Sequence, residues 1–217
     1  SDMLNAEPDI KCMNMMGYEA MCVGNHEFDL PMEEAKKQIS WAKFPFLSAN
    51  VFYKTDGSYV FVPMIIKEVG DVKIGIFGIT TPNTPYISTK GDNPDIIFEN
   101  PRKVIPNIIK DLKDKVDFIV AMMHIDHPEV VNLAKEFQGI DMIIGGHTHL
   151  PLMEPVKVGE TLVIEAGSYG MMAGKWLLTF ENKKLTKWNY ELVGIGLSEP
   201  ILDGDGKLQC LPYRKKF

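Results

Sequence analysis

Helical and extended segments alternate along the first 150 residues, and then the alternation stops. "EPDIKCMNMMG" (7–17) places Ile10, Met13 and Met16 at helical spacing and ends at Gly17, a C-cap residue. "YEAMCV" reads as a short strand, and "PMEEAKKQISWAK" (31–43) starts with Pro and acidic residues, as helices do. "FPFLSANVF" returns as a strand, and "YVFVPMIIKEVGDVKIGIFGIT" (59–80) reads as a hairpin around Gly70-Asp71. An amphipathic helix follows over 101–116, and Pro106 inside it favours a bend or a restart. "DFIVAMMH" is a buried strand, "PEVVNLAKEF" a helix and "DMIIGGHTH" a strand. From 156 to 193 there are strands alone, with "ENKK" as a turn, and the last stretch is irregular. Alternation followed by hairpins predicts an α/β protein with mixed sheets.

Bulk properties narrow the partners. The chain has 217 residues, room for one domain with a sizeable core. A net charge of -6 provides no basic face, so a nucleic acid polymer is not expected as a partner. No apolar run approaches the roughly 20 residues of a membrane span. "SDMLNAEPDIKC" has no basic start and no apolar h-region, so no secretory signal is visible. Cys12, Cys22 and Cys210 form no CxxC pair and are expected as buried free thiols. The abundant Met residues, including "MNMM", are expected as core filling.

Polar clusters end three of the strands: Asn25-His26, His124 and His147-x-His149. Ligands of open α/β sheets gather at that edge. A lone His after a strand is usually structural. The pair after "IIGG" differs, because Gly145 and Gly146 let the backbone turn sharply beside a ligand. Imidazole nitrogens and an amide oxygen suit borderline divalent metals, and no thiolate set competes. Asp29 has two readings, as a carboxylate that holds His26 or as a cap for the helix at 31. Glu27 is expected to anchor the loop and His127 to start a helix or sit on the rim; for Asp126 a place behind a metal-facing His is the minority reading.

"GNHEFD", the strand ending in His124, and "GGHTH" together resemble the calcineurin-like metallophosphoesterases, and the stretch from 7 to 29 with "AGSYG" (166–170) resembles their 5′-nucleotidase family. The resemblance runs from about residue 7 to about 193. It implies a layered αββα sandwich of mixed sheets and a hydrolase using two divalent metals such as Zn or Mn. Substrates of that family are nucleotide phosphates, cleaved as by 5′-nucleotidases, UDP-sugar hydrolases or 2′,3′-cyclic phosphodiesterases. It implies that Asn25, His124 and His147 bind one metal and His149 the other. It gives His26 the leaving-group role, with Asp29 orienting it.

The family's DxH and GD motifs are not in this sequence, and Asp2 does not replace the second. Only Arg102 and Arg214 are available as arginines, and neither lies in a substrate motif. Residues 1–195 are therefore expected as a partial catalytic domain lacking its first β-α-β portion, with 196–217 as a tail or linker start. Such a chain would hold zero or one metal and be weakly active or inactive. An exposed sheet edge would invite homo-oligomers. The resemblance implies an extracytoplasmic location. The other reading is a non-catalytic binding or scaffolding module that keeps the fold.

Overall fold

The structure is a computed structural model that describes residues 5–88 and 93–195, plus the backbone of two short strands, Ile201–Leu202 and Leu208–Gln209. Its frame is a six-stranded sheet. The strands are β4 (Met64–Val69), β5 (Val72–Thr80), β7 (Phe118–His124), β8 (Met142–Gly146), β10 (Thr161–Glu165) and β9 (Val156–Val158), in that spatial order. The inner four strands run parallel, and β4 and β9 pair antiparallel at the two edges. The sheet is mixed, as the alternation followed by hairpins predicts.

Helices α4 (Pro101–Leu112) and α5 (His127–Glu136) are the crossovers between parallel strands. Val104, Ile105, Ile108 and Leu112 of α4 and Val130, Leu133 and Ala134 of α5 pack on Phe77, Ile79, Ala121, Met123, Ile143 and Val163 of the sheet. α4 runs through Pro106 without a break, contrary to the bend or restart expected there. Pro106 is on the exposed side, where water can take up the carbonyl that loses its partner. Asn100 caps the helix by accepting from the Arg102 backbone N–H at 2.9 Å.

The opposite face carries a second β layer. β11 (Met172–Glu181) and β12 (Lys184–Gly194) form a hairpin closed by Asn182-Lys183 at φ 50° and 65°, the conformation of a tight two-residue turn. Trp176, Leu178, Phe180 and Leu185 of this hairpin cover Phe118, Val120 and Met142. Beside it lie β1 (Met21–Cys22) and β2 (Phe46–Leu47), which pair in parallel. Gly78 lets β2 lie against β5, because a Cβ there would collide with the Leu47 carbonyl oxygen. Outside β1 and β2 pack α1 (Glu7–Met16) and α2 (Met32–Trp41), through Ile10, Met13, Met32 and Trp41 on Val23, Phe44 and Phe46. The layers are therefore α, β, β, α.

Several expectations fail locally. The strand "FPFLSANVF" divides into β2 and β3 (Val51–Tyr53), and β3 pairs with β6 (Ile96–Phe98). The break falls where the Asn50 side chain acts as a surrogate strand, donating to Thr80 O and accepting from Thr80 N, both at 2.8 Å. Cys12 is exposed instead of buried, because the inward face of α1 is set by Ile10 and Met13. Met15 and Met16 are exposed for the same reason. Cys22 is held inside, its thiol donating to Met122 O at 3.1 Å, and burial pushes its pKa up to about 12. Arg102 is a strut between α4 and α5, paired with Glu129 and Glu136. A short helix α3 (Thr84–Ile87) was not anticipated, nor was the antiparallel pairing of Ile201–Leu202 with Leu208–Gln209 in a stretch expected to be irregular. Asp2, Cys210 and Arg214 lie outside the described residues, as does most of the expected tail. Among the described residues no helix is long and apolar enough to cross a membrane.

If Gly78 is what lets the two β layers touch, Gly78→Ala should lower stability by about 2–3 kcal/mol in urea unfolding or prevent folding. An unchanged unfolding midpoint would show that the layers do not meet at this glycine.

Candidate metal centre

The site forms where three strand ends meet. β7 ends on His124, in register with Gly146 of β8, and the turn after β8 carries His147 and His149. β1 leads through Val23 and Gly24 to Asn25, which is buried and opens a short 3-10 turn over His26–Phe28. The Thr80 hydroxyl at the end of β5 donates to Val23 O at 2.8 Å and so ties this loop to the central sheet. Glu27 anchors it from the other side, accepting from Gly24 N at 2.7 Å. Ser88 adds a bond from its hydroxyl to Asn25 O at 2.8 Å.

His124 Nε2 lies 2.9 Å from Asn25 Oδ1 and 3.2 Å from His147 Nδ1. Gly24 makes this approach possible, since a Cβ there would touch the His124 ring at 3.0 Å. Ligand atoms about 2.1 Å from one metal stand roughly 3.0 Å apart at a right angle and roughly 3.4 Å apart at a tetrahedral angle. The observed separations fall across that range. Three acceptor atoms this close repel unless a proton or a cation sits among them.

Burial keeps the central ring uncharged. Burial is the largest cause that lowers the His124 pKa, to about 4, and the neighbouring His147, His26 and His149 add to it. The ring is therefore neutral at neutral pH, with a lone pair to offer. Among the described residues no group of three or more His, Cys, Asp or Glu is arranged to hold a metal. The Asp126 carboxylate stands on the far side of the His147 ring, with Oδ1 3.7 Å from His147 Nε2. The two separations at His124 Nε2 match the spacing of neighbouring ligands on a divalent ion, and the three groups bring no negative charge.

The remaining residues flank this point. His149 packs its ring edge-on against Tyr169, with centroids 5.3 Å apart, and does not join the Asn25–His124–His147 contacts. His26 is mostly solvent-facing, and its Nδ1 lies 2.6 Å from Asp29 Oδ2. α2 is entered through Pro31 without a side-chain cap, so of the two readings of Asp29 the contact with His26 is the one present. His127 does start α5, but its ring points inward onto Glu165 instead of lining the rim.

Glu165 is the residue that sequence reasoning missed. Its signal was a carboxylate closing the otherwise apolar strand "TLVIE" at the level of the histidines. Backbone strain also marks the site. His147, His149 and Tyr169 all have left-handed φ, at 79°, 61° and 57°. Such values in bulky residues persist only where the surroundings enforce them.

The sequence matches the calcineurin-like phosphoesterase family over residues 5–151. The chain belongs to that family. It is 31% identical over 244 residues to protein UshA of Escherichia coli strain K12, an alignment covering 98% of this chain and 44% of that protein. It is 33% identical over 232 residues to a 5′-nucleotidase of Vibrio cholerae, covering 93% of this chain and 42% of the relative. The structure of a 5′-nucleotidase precursor from Thermus thermophilus superposes with a TM-score of 0.77 at 30% identity, over 87% of this chain and 41% of that one. The chain thus spans less than half the length of each of these relatives.

The buried, neutral His124 has a pH signature. In the metal-free protein it gains its proton near pH 4, against about 6.5 for an unfolded histidine. Between those values the unfolded state binds more protons, so stability is lost as pH falls through the window, by about 3 kcal/mol at its lower end. Proton NMR titration should find His124 neutral well below the ordinary histidine midpoint. Titration at the ordinary value would mean that the ring is not buried among these partners.

Proposed function

We propose that this chain carries the metal-binding and leaving-group side of a phosphoester hydrolase acting on nucleotide phosphates, of the 5′-nucleotidase, UDP-sugar hydrolase or 2′,3′-cyclic phosphodiesterase type. The observation behind this reading is the approach of Asn25 Oδ1, His124 Nε2 and His147 Nδ1 to within 2.9 and 3.2 Å. The names of the relatives supply the substrate class. The reading takes residues 1–195 as one catalytic unit and 196–217 as a tail. It also takes the protein as extracytoplasmic and the edges of the small β1–β2 sheet as pairing sites for a second copy.

In this reading Asn25, His124 and His147 hold a divalent metal, and His149 faces a second position. A bound metal polarises a phosphoryl oxygen and lowers the pKa of its water. Asn25 contributes an oxygen ligand without charge, and the neutral His124 ring can offer the Nε2 lone pair once its single proton resides on Nδ1. Asp29 holds the His26 ring through Nδ1 and leaves Nε2 toward solvent. From there a proton on Nε2 can pass to the oxygen that leaves phosphorus.

Three neutral donors bind a dication weakly. The 217-residue chain is therefore expected to take up one loosely held Mn²⁺ or Zn²⁺ in calorimetric titration or native mass spectrometry, with no uptake in His124→Ala and His147→Ala and unchanged uptake in His26→Ala. Hydrolysis of AMP, cyclic nucleotides or p-nitrophenyl phosphate by this chain should be negligible even with added metal. Two tightly held metals, or robust turnover that both His26→Ala and His147→Ala abolish, would show that another group completes the site. Uptake that is absent, or indifferent to His124 and His147, would favour the non-catalytic module.

A further inference from the structure

Behind the His147–His149 turn lies a second pair of ionisable side chains that the function above does not use. Glu165 ends β10, aligned in register with Gly145, and is only 1% exposed. Its Oε1 lies 2.8 Å from His127 Nδ1, and its Oε2 is buried with no hydrogen-bond partner in the structure. The three residues before it, Leu162, Val163 and Ile164, are apolar and equally buried. A carboxylate at this place costs stability that a leucine would not, because its desolvation is only half answered. Burial raises its pKa, and the bond to His127 opposes that rise.

The contacts of His127 indicate what the carboxylate does. His127 is the first residue of α5, and it is gripped at two points. Its ring is fixed by Glu165, and its backbone N–H donates to the Thr148 hydroxyl at 2.7 Å. Thr148 is the residue between His147 and His149, both in left-handed conformations. Each such residue is strained and needs outside restraint. Gly145 completes the arrangement, because a Cβ there would meet Glu165 Cγ at 2.7 Å. The strand that leads into the turn therefore lies directly against the Glu165 side chain at Gly145, and the middle residue of the turn is tied to α5.

We propose that Glu165 and His127 are positioning residues for His147 and His149. The carboxylate locks the His127 ring, the ring sets the start of α5, and the first N–H of α5 holds Thr148 so that both flanking imidazoles keep their strained directions. The proposal rests on the metal-facing reading of His147 and His149 and adds residues that touch neither metal nor substrate.

The test uses the complete 217-residue chain and three substitutions: Glu165→Leu, which removes the acceptor at similar volume; Glu165→Gln, which keeps an acceptor without the charge; and Thr148→Val, which removes only the hydroxyl on an exposed residue. Two quantities are read: the imidazole ¹H–¹⁵N signals of the metal-free protein, and Co²⁺ affinity by titration. Glu165→Leu and Thr148→Val should both move the His147 and His149 signals and weaken Co²⁺ binding about tenfold or more, while Glu165→Gln restores most of both. A purely structural Glu165 would lower the melting temperature and leave those signals in place. Folded Glu165→Leu and Thr148→Val proteins with unmoved His147 and His149 signals would overturn the proposal. If Glu165→Leu does not fold, Thr148→Val decides alone. If the unsubstituted chain binds no Co²⁺, the metal reading fails, and the imidazole signals still decide whether the pair positions the turn.

Discussion

The site depends on the seam where β1 and β2 meet the central sheet. Gly78 lets the Leu47 carbonyl lie directly on β5, and two residues on the Thr80 hydroxyl donates to Val23 O. Ser48, Asn50 and Thr80 are all fully buried and bonded to one another, so their polar groups do not oppose burial. This seam carries Gly24 and Asn25 to the end of β7. Without it Asn25 would belong to a separate layer and could not approach His124 within hydrogen-bonding distance.

The same geometry accounts for the chemistry. Parallel strands deliver their C-terminal ends to one edge, and the edge collects the side chains that follow. Burial keeps His124 neutral, glycine at 24 lets its ring approach Asn25, and glycine at 145 lets β8 lie against the Glu165 side chain just before the His147–His149 turn. The middle residue of that turn is tied to α5 through the His127 N–H. What the described residues do not bring to the Asn25–His124–His147 point is negative charge, and this limits how firmly a dication can be held.

Much of this was legible in the sequence, for identifiable reasons. The hairpin at Gly70-Asp71 and the strand–helix–strand run from Phe118 to Gly146 carry strong period signals and appear nearly where expected. The convergence of Asn25, His124 and His147 followed from their shared position after strands. The break at Ser48–Asn50 was not legible, because a side chain that imitates a strand leaves no periodic trace. The exposure of Cys12 and Met15 depended on which face of α1 meets β1 and β2, a tertiary fact. Glu165 was missed because a single carboxylate at a strand end looks like a solvent-facing terminus until the neighbouring strand is in place. His127 looked like an ordinary first residue of a helix because its partner lies 38 positions away.

The central claim is that three separate strand ends build one metal-facing point. Anomalous diffraction at the zinc edge, from crystals of the chain grown with zinc, tests it directly. The account predicts a single peak about 2.0–2.2 Å from Asn25 Oδ1, His124 Nε2 and His147 Nδ1 together. A peak bound elsewhere, or one that engages His147 while His124 and Asn25 stay bonded to each other, would contradict it.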